Sequence, residues 1–189
     1  MILIRNIIVL LLCFSYNLST LAATSNDTLQ VTPIETGYLL NVPVSRIQLT
    51  IPDAKLIDLT SKMRKSANDR RYFYFADETR GLTVSGWFEQ AGSFPGLNKF
   101  WQGEMASWKK NSLPAPLNVA AVQLNDWQAI FYDIDAGPES SKHVKAEIVL
   151  EGTWIDLHIS ISNSASPPPT REMLEDFLKG IIVTTKPAG

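Results

Sequence analysis

The sequence predicts an α+β protein in which an antiparallel β-sheet of about six to eight strands is covered by two main amphipathic helices. Short segments alternate apolar and polar residues and are separated by turn sequences, as in β-hairpins. Two other segments, 97–108 and 174–182, repeat apolar residues every three or four positions, as one face of a helix does. Hairpin-linked strands are antiparallel and an amphipathic helix must bury its apolar stripe, so we expect an α+β sandwich.

The first 23 residues have the composition of a cleavable secretory signal peptide. Arg5 precedes an apolar run over residues 7–14, and the small residues Ala22 and Ala23 follow. The run is about half of the ~20 residues that a membrane span needs, so a retained anchor is the weaker interpretation. We therefore predict cleavage after Ala22 or Ala23, a periplasmic or secreted protein, and no membrane span after cleavage. Cys13, the only cysteine, would leave with the signal.

Composition restricts the mature chain to a few classes of protein. About 166 residues follow the predicted cleavage site, which suits one domain. The chain has 17 basic and 19 acidic residues, and loss of Arg5 leaves a net charge of about −3. Nonspecific nucleic-acid binding depends on a basic face that neutralises phosphates, so no nucleic-acid partner is expected. A basic cluster at 62–71 is interpreted as a solvated loop or helix end.

The first half of the mature chain contains the weaker signals. Residues 24–36 are polar and without periodicity, which predicts a flexible lead-in before a single domain over 37–186. A short helix is predicted at 54–65. The strands of this half are short apolar or aromatic segments bounded by Pro, Gly or charged residues: 38–42, 46–51, 72–75 and 82–89.

The central helix has clear boundaries. Leu97, Phe100, Trp101, Met105 and Trp108 form one face of about four turns. Prolines suit both ends, since one lies near the first turn and two others follow the helix at 114 and 116.

Two hairpins and a last helix complete the chain. Strands at 118–124 and 127–135 flank Asn125-Asp126, and strands at 144–150 and 153–162 flank Glu151-Gly152. A two-residue turn at Glu151-Gly152 sets Leu150 opposite Thr153. By the same count Ile148 lies opposite Ile155 on one face, and on the other face Glu147 lies opposite Asp156 and Lys145 opposite His158. After a break at 164–169, Thr170 caps a helix predicted at 171–183.

Catalytic and metal-binding motifs were sought on the polar face of this hairpin. His143, His158, Asp156 and Glu147 could supply zinc ligands, but a lysine beside His158 repels a dication, so structural packing is favoured. Asp156, His158 and Ser160 have the residue types of a hydrolase triad, yet same-face neighbours on a strand are ~6.5–7 Å apart. We therefore predict no catalytic residue, no metal and no cofactor.

Tryptophans are the remaining feature. Trp127 and Trp154 each follow a hairpin turn, and they could form an apolar surface patch if both turns lie at the same sheet edge. Burial in the core is the commoner fate of such side chains. The predicted ligand-binding residues are Trp87, Trp127, Trp154, Asp156 and His158.

Several strings are similar to those of small exported proteins of unknown function. They are Gly-Tyr-x-Leu-Asn-Val-Pro at 37–43, Leu-Thr-Ile-Pro at 49–52, Tyr-Phe-Tyr-Phe at 72–75, Ser-Gly-Trp-Phe-Glu at 85–89, Lys-Phe-Trp at 99–101, and Gly-Thr-Trp-Ile-Asp-Leu-His-Ile-Ser at 152–160. The order of elements resembles the PsbP and Mog-type α/β/α sandwich, a likeness shared with the DcrB-like periplasmic proteins, over roughly 37–185. The resemblance implies a binding or assembly module and supplies no catalytic residue.

Three functions follow from these observations. The first is a noncatalytic exported binding or assembly module of the bacterial envelope, with an unknown protein or small-molecule partner. The alternative is a small hydrolase or metal-dependent enzyme that uses Asp156 and His158. The third is a protein that binds a small apolar molecule between helix and sheet, in a pocket lined by Trp87 or Trp101.

Overall fold

A computed structural model describes residues 28–64, 66–137, 140–163, 165 and 167–186. The predicted signal peptide at 1–23 lies outside the described residues. The elements along the chain are β1 (Gln30–Ile34), β2 (Gly37–Asn41), β3 (Ile47–Pro52), β4 (Ile57–Asp58), α1 (Thr60–Met63), β5 (Tyr72–Asp77), β6 (Leu82–Gln90), α2 (Leu97–Lys110), β7 (Leu117–Leu124), β8 (Trp127–Ile134), β9 (Ser141–Leu150), β10 (Thr153–Ser162), α3 (Arg171–Gly180) and β11 (Ile182–Thr185). Short 3₁₀ turns precede β5 and follow β6.

The strands form two antiparallel sheets. The large sheet has seven strands in the order β4-β5-β6-β10-β9-β8-β7, and the small sheet has four in the order β1-β2-β3-β11. The α+β class, the antiparallel pairing and the two main helices are confirmed, and the large sheet has the predicted number of strands. The division into two sheets was not predicted.

Three predicted segments differ from the structure. Part of the predicted lead-in is strand β1, which pairs with β2 although most of its side chains are exposed. Of the segment 54–65 that was predicted as one helix, Ile57–Asp58 form β4 and Thr60–Met63 form the single helical turn α1, because β4 pairs with β5 and the Asp58 carboxylate accepts a hydrogen bond from the Thr60 backbone N–H. The last helix ends at Gly180, and Ile182 begins β11, which pairs with β3.

The β9–β10 hairpin has the predicted register. Leu150 lies opposite Thr153, and Lys145 lies opposite His158. Glu151 and Gly152 both have positive φ, 48° and 73°, as a type I′ turn requires. This turn matches the twist of the strands, so the alternation of apolar and polar side chains is carried across both strands without a slip.

The main core lies on one face of the large sheet. Its central strand contributes Ile155, Leu157 and Ile159, all fully buried. The opposing layer consists of the small sheet and α3, whose Leu174 and Leu178 belong to the same apolar cluster. The residues between these positions on β10 therefore point to the opposite face, which α2 covers, so the two main helices lie on opposite faces of the large sheet.

The N-terminus of α3 provides a stability test. The Thr170 side-chain oxygen accepts a hydrogen bond from the backbone N–H of Met173 at 3.3 Å, which confirms the predicted cap. Thr170→Ala should lower the free energy of unfolding by about 1 kcal/mol in urea denaturation, because one backbone donor of the first turn loses its partner. Thr170→Ser keeps an oxygen in place and should retain most of the stability, and an equal loss in both variants would refute the capping role.

Candidate functional site

The candidate site is the face of the large sheet beneath α2. On β9 and β10 the polar side chains contact each other diagonally, each β9 residue reaching the β10 residue two positions before its opposite neighbour. The Lys145 ammonium donates to both oxygens of Asp156, at 2.9 and 3.2 Å. The Trp154 indole N–H donates to Glu147 Oε2 at 2.5 Å. His143 Nδ1 lies 3.0 Å from His158 Nε2, so sheet twist selects a repeated diagonal contact.

The helix α2 places aromatic rings over these pairs. The ring of Phe100 lies with its centroid 5.0 Å from the Lys145 ammonium, and it meets the Trp154 ring edge-on at 5.7 Å. The Phe94 ring, just before the helix, adds a second contact to Trp154 at 5.2 Å. A cation over an aromatic face is attracted by the ring quadrupole, so Phe100 both covers Lys145 and stabilises its charge.

One cation and three carboxyl groups interact in this cluster. Although burial opposes the charge, the carboxylates of Asp156, Glu147 and Glu104 raise the pKa of Lys145. Burial, followed by the Asp156 charge, raises the pKa of Glu147 well above its ordinary value. Burial likewise raises the pKa of Glu104. Lys145 and Asp156 form the ion pair of this cluster, and the raised pKa of Glu147 favours the protonated form of this buried carboxyl.

Glu147 is completely buried, and its Oε1 has no hydrogen-bond partner in the described part of the chain. When the Glu147 carboxyl is protonated, its O–H can donate a hydrogen bond to the neighbouring Asp156 carboxylate. The Glu147 carboxyl is therefore held by Trp154 on one side and faces Asp156 on the other.

The histidines form a second group on the same face. The two imidazoles are parallel within 4° with centroids 5.2 Å apart, and their nearest nitrogens are 3.0 Å apart, so the rings meet edge to edge. Ser141 Oγ lies 2.7 Å from His143 Nε2, and the Tyr132 hydroxyl lies 3.3 Å from His158 Nε2. Two neutral imidazoles can make the contact between His143 Nδ1 and His158 Nε2 as a hydrogen bond, because one nitrogen carries the N–H and the other accepts it.

Burial accounts for the neutral state of the histidines. It lowers the pKa of His143 to about 4, against a smaller opposing effect of Asp133. Burial, with the His143 and Lys145 charges, lowers the pKa of His158 well below its ordinary value. The Tyr132 ring is packed against Trp101 and Trp108 of α2, and burial raises the pKa of its hydroxyl.

Acidification should destabilise the protein through His143. Its folded pKa of about 4 lies below the ordinary 6.5, so between these values the unfolded chain binds more protons and stability falls as the pH falls. From about pH 7.5 to about pH 5.5, wild type should lose about 1 kcal/mol more than His143→Gln in urea denaturation. Glu147 acts in the opposite direction but is present in both proteins. Equal pH dependence would contradict a neutral buried His143.

The predicted site residues are divided between the two faces. Trp87, Trp154, Asp156 and His158 lie on the α2 side, where Trp87 is opposite Asp156 on the neighbouring strand. Trp127 belongs to the main core on the other face. The two hairpin turns do lie at the same end of the sheet, and both tryptophans are buried, which was the favoured interpretation. The alternative, a shared surface patch, is wrong because the two side chains point in opposite directions.

Two members of the cluster were missed in the sequence. Glu104 lies within the apolar stripe of α2, one turn after Phe100 and Trp101. An acidic residue on a face that must be buried was the available signal. Tyr132 gave no such signal in the sequence. The sheet face on which its side chain lies depends on the pairing of β8 with β9, and these strands are not connected by a tight turn.

The described residues hold no group of three His, Asp or Glu side chains that could bind a metal ion. The side chains that were considered as zinc ligands are separated into different pairs, since Asp156 binds Lys145 and His158 contacts His143. The two imidazole nitrogens that face each other form a hydrogen bond, so the accepting nitrogen does not offer its lone pair to a metal ion.

Two clefts lie near this face. The larger, of about 440 Å³, is at the end of the sheet where β6 ends and β10 begins, between the β2–β3 loop and the β9–β10 turn. Arg46 of that loop donates to Glu151 of that turn at 2.7 Å. The smaller, of about 260 Å³, is at the opposite end and is lined by Tyr132, His143 and the N-terminus of α3.

Comparison with known proteins shows distant structural likeness alone. No family model matches the chain and no curated protein matches it. A crystal structure from Bacteroides thetaiotaomicron VPI-5482 is similar with a TM-score of 0.44 and 7% identity, over 75% of this chain and 46% of that chain. None of the described helices is long and apolar enough to cross a lipid bilayer.

Proposed function

We propose that the chain is a noncatalytic binding or assembly module of the bacterial envelope, exported to the periplasm or secreted. The signal-like first 23 residues and the resemblance to DcrB-like exported proteins support export. The observation that carries the noncatalytic role is that Asp156 and His158, on which an enzymatic role would depend, are each bound to another side chain of the cluster. Asp156 pairs with Lys145, and His158 contacts His143.

A catalytic carboxylate or imidazole must reach a substrate. Here both oxygens of Asp156 accept from Lys145, and the two side chains are 21 and 13% exposed. His158 Nε2 contacts His143 and Tyr132 within the cluster. These groups connect neighbouring strands and support α2, which is a structural role. We therefore propose that a partner binds at another surface.

The partner-binding surface that we propose is the larger cleft together with the β2–β3 loop. Val44 in this loop is 78% exposed and has a φ of 55°, a conformation that is unfavourable for a β-branched side chain. Backbone strain of this kind clusters at functional sites, and the exposed Val44 side chain would supply an apolar contact there. The cleft also contains Glu89, whose pKa is raised by burial, so the surface combines an apolar contact with a polar recess.

Photo-crosslinking in the envelope tests the proposal. A crosslinking amino acid at Val44 should give a reproducible adduct, whereas the same group at Ile57, which is 59% exposed on the far edge strand β4, should not. The purified partner should then bind wild type and lose binding to Val44→Asp. The mature N-terminus, read by mass spectrometry, should follow Ala22 or Ala23.

Turnover would contradict the noncatalytic role. A hydrolytic activity that is abolished in folded His158→Ala, or a zinc-dependent rise in the unfolding temperature that this variant loses, would favour the enzyme that uses Asp156 and His158.

A further inference from the structure

The edges of the two sheets are protected unequally. Edge strands expose unpaired backbone groups, and proteins usually protect them by shortness, proline or charge. Among the described residues, three of the sheet edges follow this rule, since β1 contains Pro33, β4 has two residues, and the four residues of β11 are followed by Lys186. The fourth edge, β7, has eight residues without proline or charge.

The chain segment that contains β7 is also uncharged. Residues 111–125 contain no Lys, Arg, Asp or Glu, although 19% of the whole chain is charged. Leu117 and Val119, at the start of the strand, are exposed apolar side chains. Like charges opposite each other destabilise strand pairs, and a two-fold axis brings similar residues of two copies together. This edge is therefore compatible with a second copy of itself.

The hairpin turn determines which backbone groups of β7 are open. Leu124 lies opposite Trp127 across the two-residue turn, so this closing pair bonds to β8. The alternation continues to Val122 and Ala120. The N–H and C=O of Ala121 and Gln123 consequently point away from β8, toward the open edge.

A β-bulge limits the usable part of the edge. The pairing of β7 with β8 shifts between Leu117 and Ala120, and Asn118 has a φ of 52°. A second strand can therefore follow β7 only over the regular segment 120–124. Within this segment an antiparallel copy that pairs Ala121 with Gln123 of the other copy places Val122 on the two-fold axis. The Val122 side chains then meet on the face that continues the apolar core.

We propose that two copies of this chain associate by antiparallel pairing of their β7 edges, with Val122 on the axis, so that two seven-stranded sheets become one. The contact is isologous and closes after two copies. This inference goes beyond the proposed binding function, because it depends only on β7 and not on the cleft at Val44.

Charge exchange at the edge tests the register. Ala121 and Gln123 are exposed, so Ala121→Lys with Gln123→Lys should leave the fold intact. The proposed pairing sets Lys against Lys, and the full-length variant should be monomeric in sedimentation equilibrium where wild type is dimeric. The matching Ala121→Glu with Gln123→Glu variant should also be monomeric, and an equimolar mixture should restore a mixed dimer.

A crosslink tests the axis independently. Directly opposed residues in a non-hydrogen-bonded antiparallel pair have Cα atoms about 4.5 Å apart, within disulfide range. With Cys13 replaced by Ser, Val122→Cys should oxidise to a linked dimer, whereas Ala121→Cys, displaced from its own copy by two residues, should not. A wild type that is monomeric at its highest soluble concentration, or a dimer that both charge variants retain, would overturn the proposal. A partner peptide bound along β7 of a monomeric protein would overturn it as well.

Discussion

Replacing Lys145 by methionine is expected to lower the free energy of unfolding by about 3 kcal/mol. Methionine is close in length and keeps the contact with the Phe100 ring, so the main change is the loss of the ammonium. Asp156 then has no cation at 2.9 Å, and Glu147 and Glu104 lose the charge that offsets their burial. Removing one partner of a buried pair is strongly destabilising because the other charge is left uncompensated.

Urea denaturation at neutral pH measures this effect, and the same strand supplies a control. Lys142 binds Asp133 at 3.1 Å, but the two side chains are 28 and 26% exposed and lie at the end of the sheet. Lys142→Met should therefore reduce stability by less than about 1 kcal/mol. Similar losses in both variants would show that Lys145 is an ordinary surface cation.

Substituting Gly86 by alanine is expected to cost about 3 kcal/mol of stability. Gly86 lies in the middle of the large sheet, opposite Phe73 on one neighbouring strand and Leu157 on the other. A methyl group added there would overlap the Phe73 ring and lie 2.6 Å from the Asp156 carbonyl oxygen. The Phe73 ring is fully buried and cannot move away without disturbing the core.

Gly92→Ala is the matched control. This glycine has open space around the position of the added methyl group, so its replacement should change stability by less than about 0.5 kcal/mol. Urea denaturation of both variants gives the comparison. A Gly86→Ala protein as stable as Gly92→Ala would contradict the close approach of the Phe73 ring.

The β9–β10 hairpin shows what sequence patterns determine well. A two-residue turn fixes which residues are opposite, and strict alternation fixes which face is buried, so both the register and the polar face were predicted. The diagonal contacts were not, because they depend on the twist of the pair. The predicted neighbours Glu147 and Asp156 thus became members of different pairs with Trp154 and Lys145.

The failures have a common physical origin. The strands β1 and β11 are short and largely exposed, and their stability comes from pairing with β2 and β3 rather than from their own side chains. Local propensity cannot reveal such strands. The relative orientation of Trp127 and Trp154 could not be predicted for a similar reason, since it depends on a strand pairing that no tight turn specifies.

We propose that the acidic, basic and imidazole side chains beneath α2 support this helix, and that recognition takes place at the cleft and at the β7 edge. This assignment explains why acidic, basic and imidazole groups can be concentrated beneath a helix with their charges paired or neutralised. Buried polar groups of this kind are costly unless they satisfy one another, and in this cluster Glu147 Oε1 has no partner among the described residues.

The most direct test of the account is a double-mutant cycle on Lys145 and Asp156, measured by urea denaturation at neutral pH. We expect that Lys145→Met and Asp156→Asn together cost much less stability than the sum of the two single changes, with a coupling of about 2 kcal/mol. Additive effects would contradict it, because Asp156 would then be free of Lys145 and available for another role.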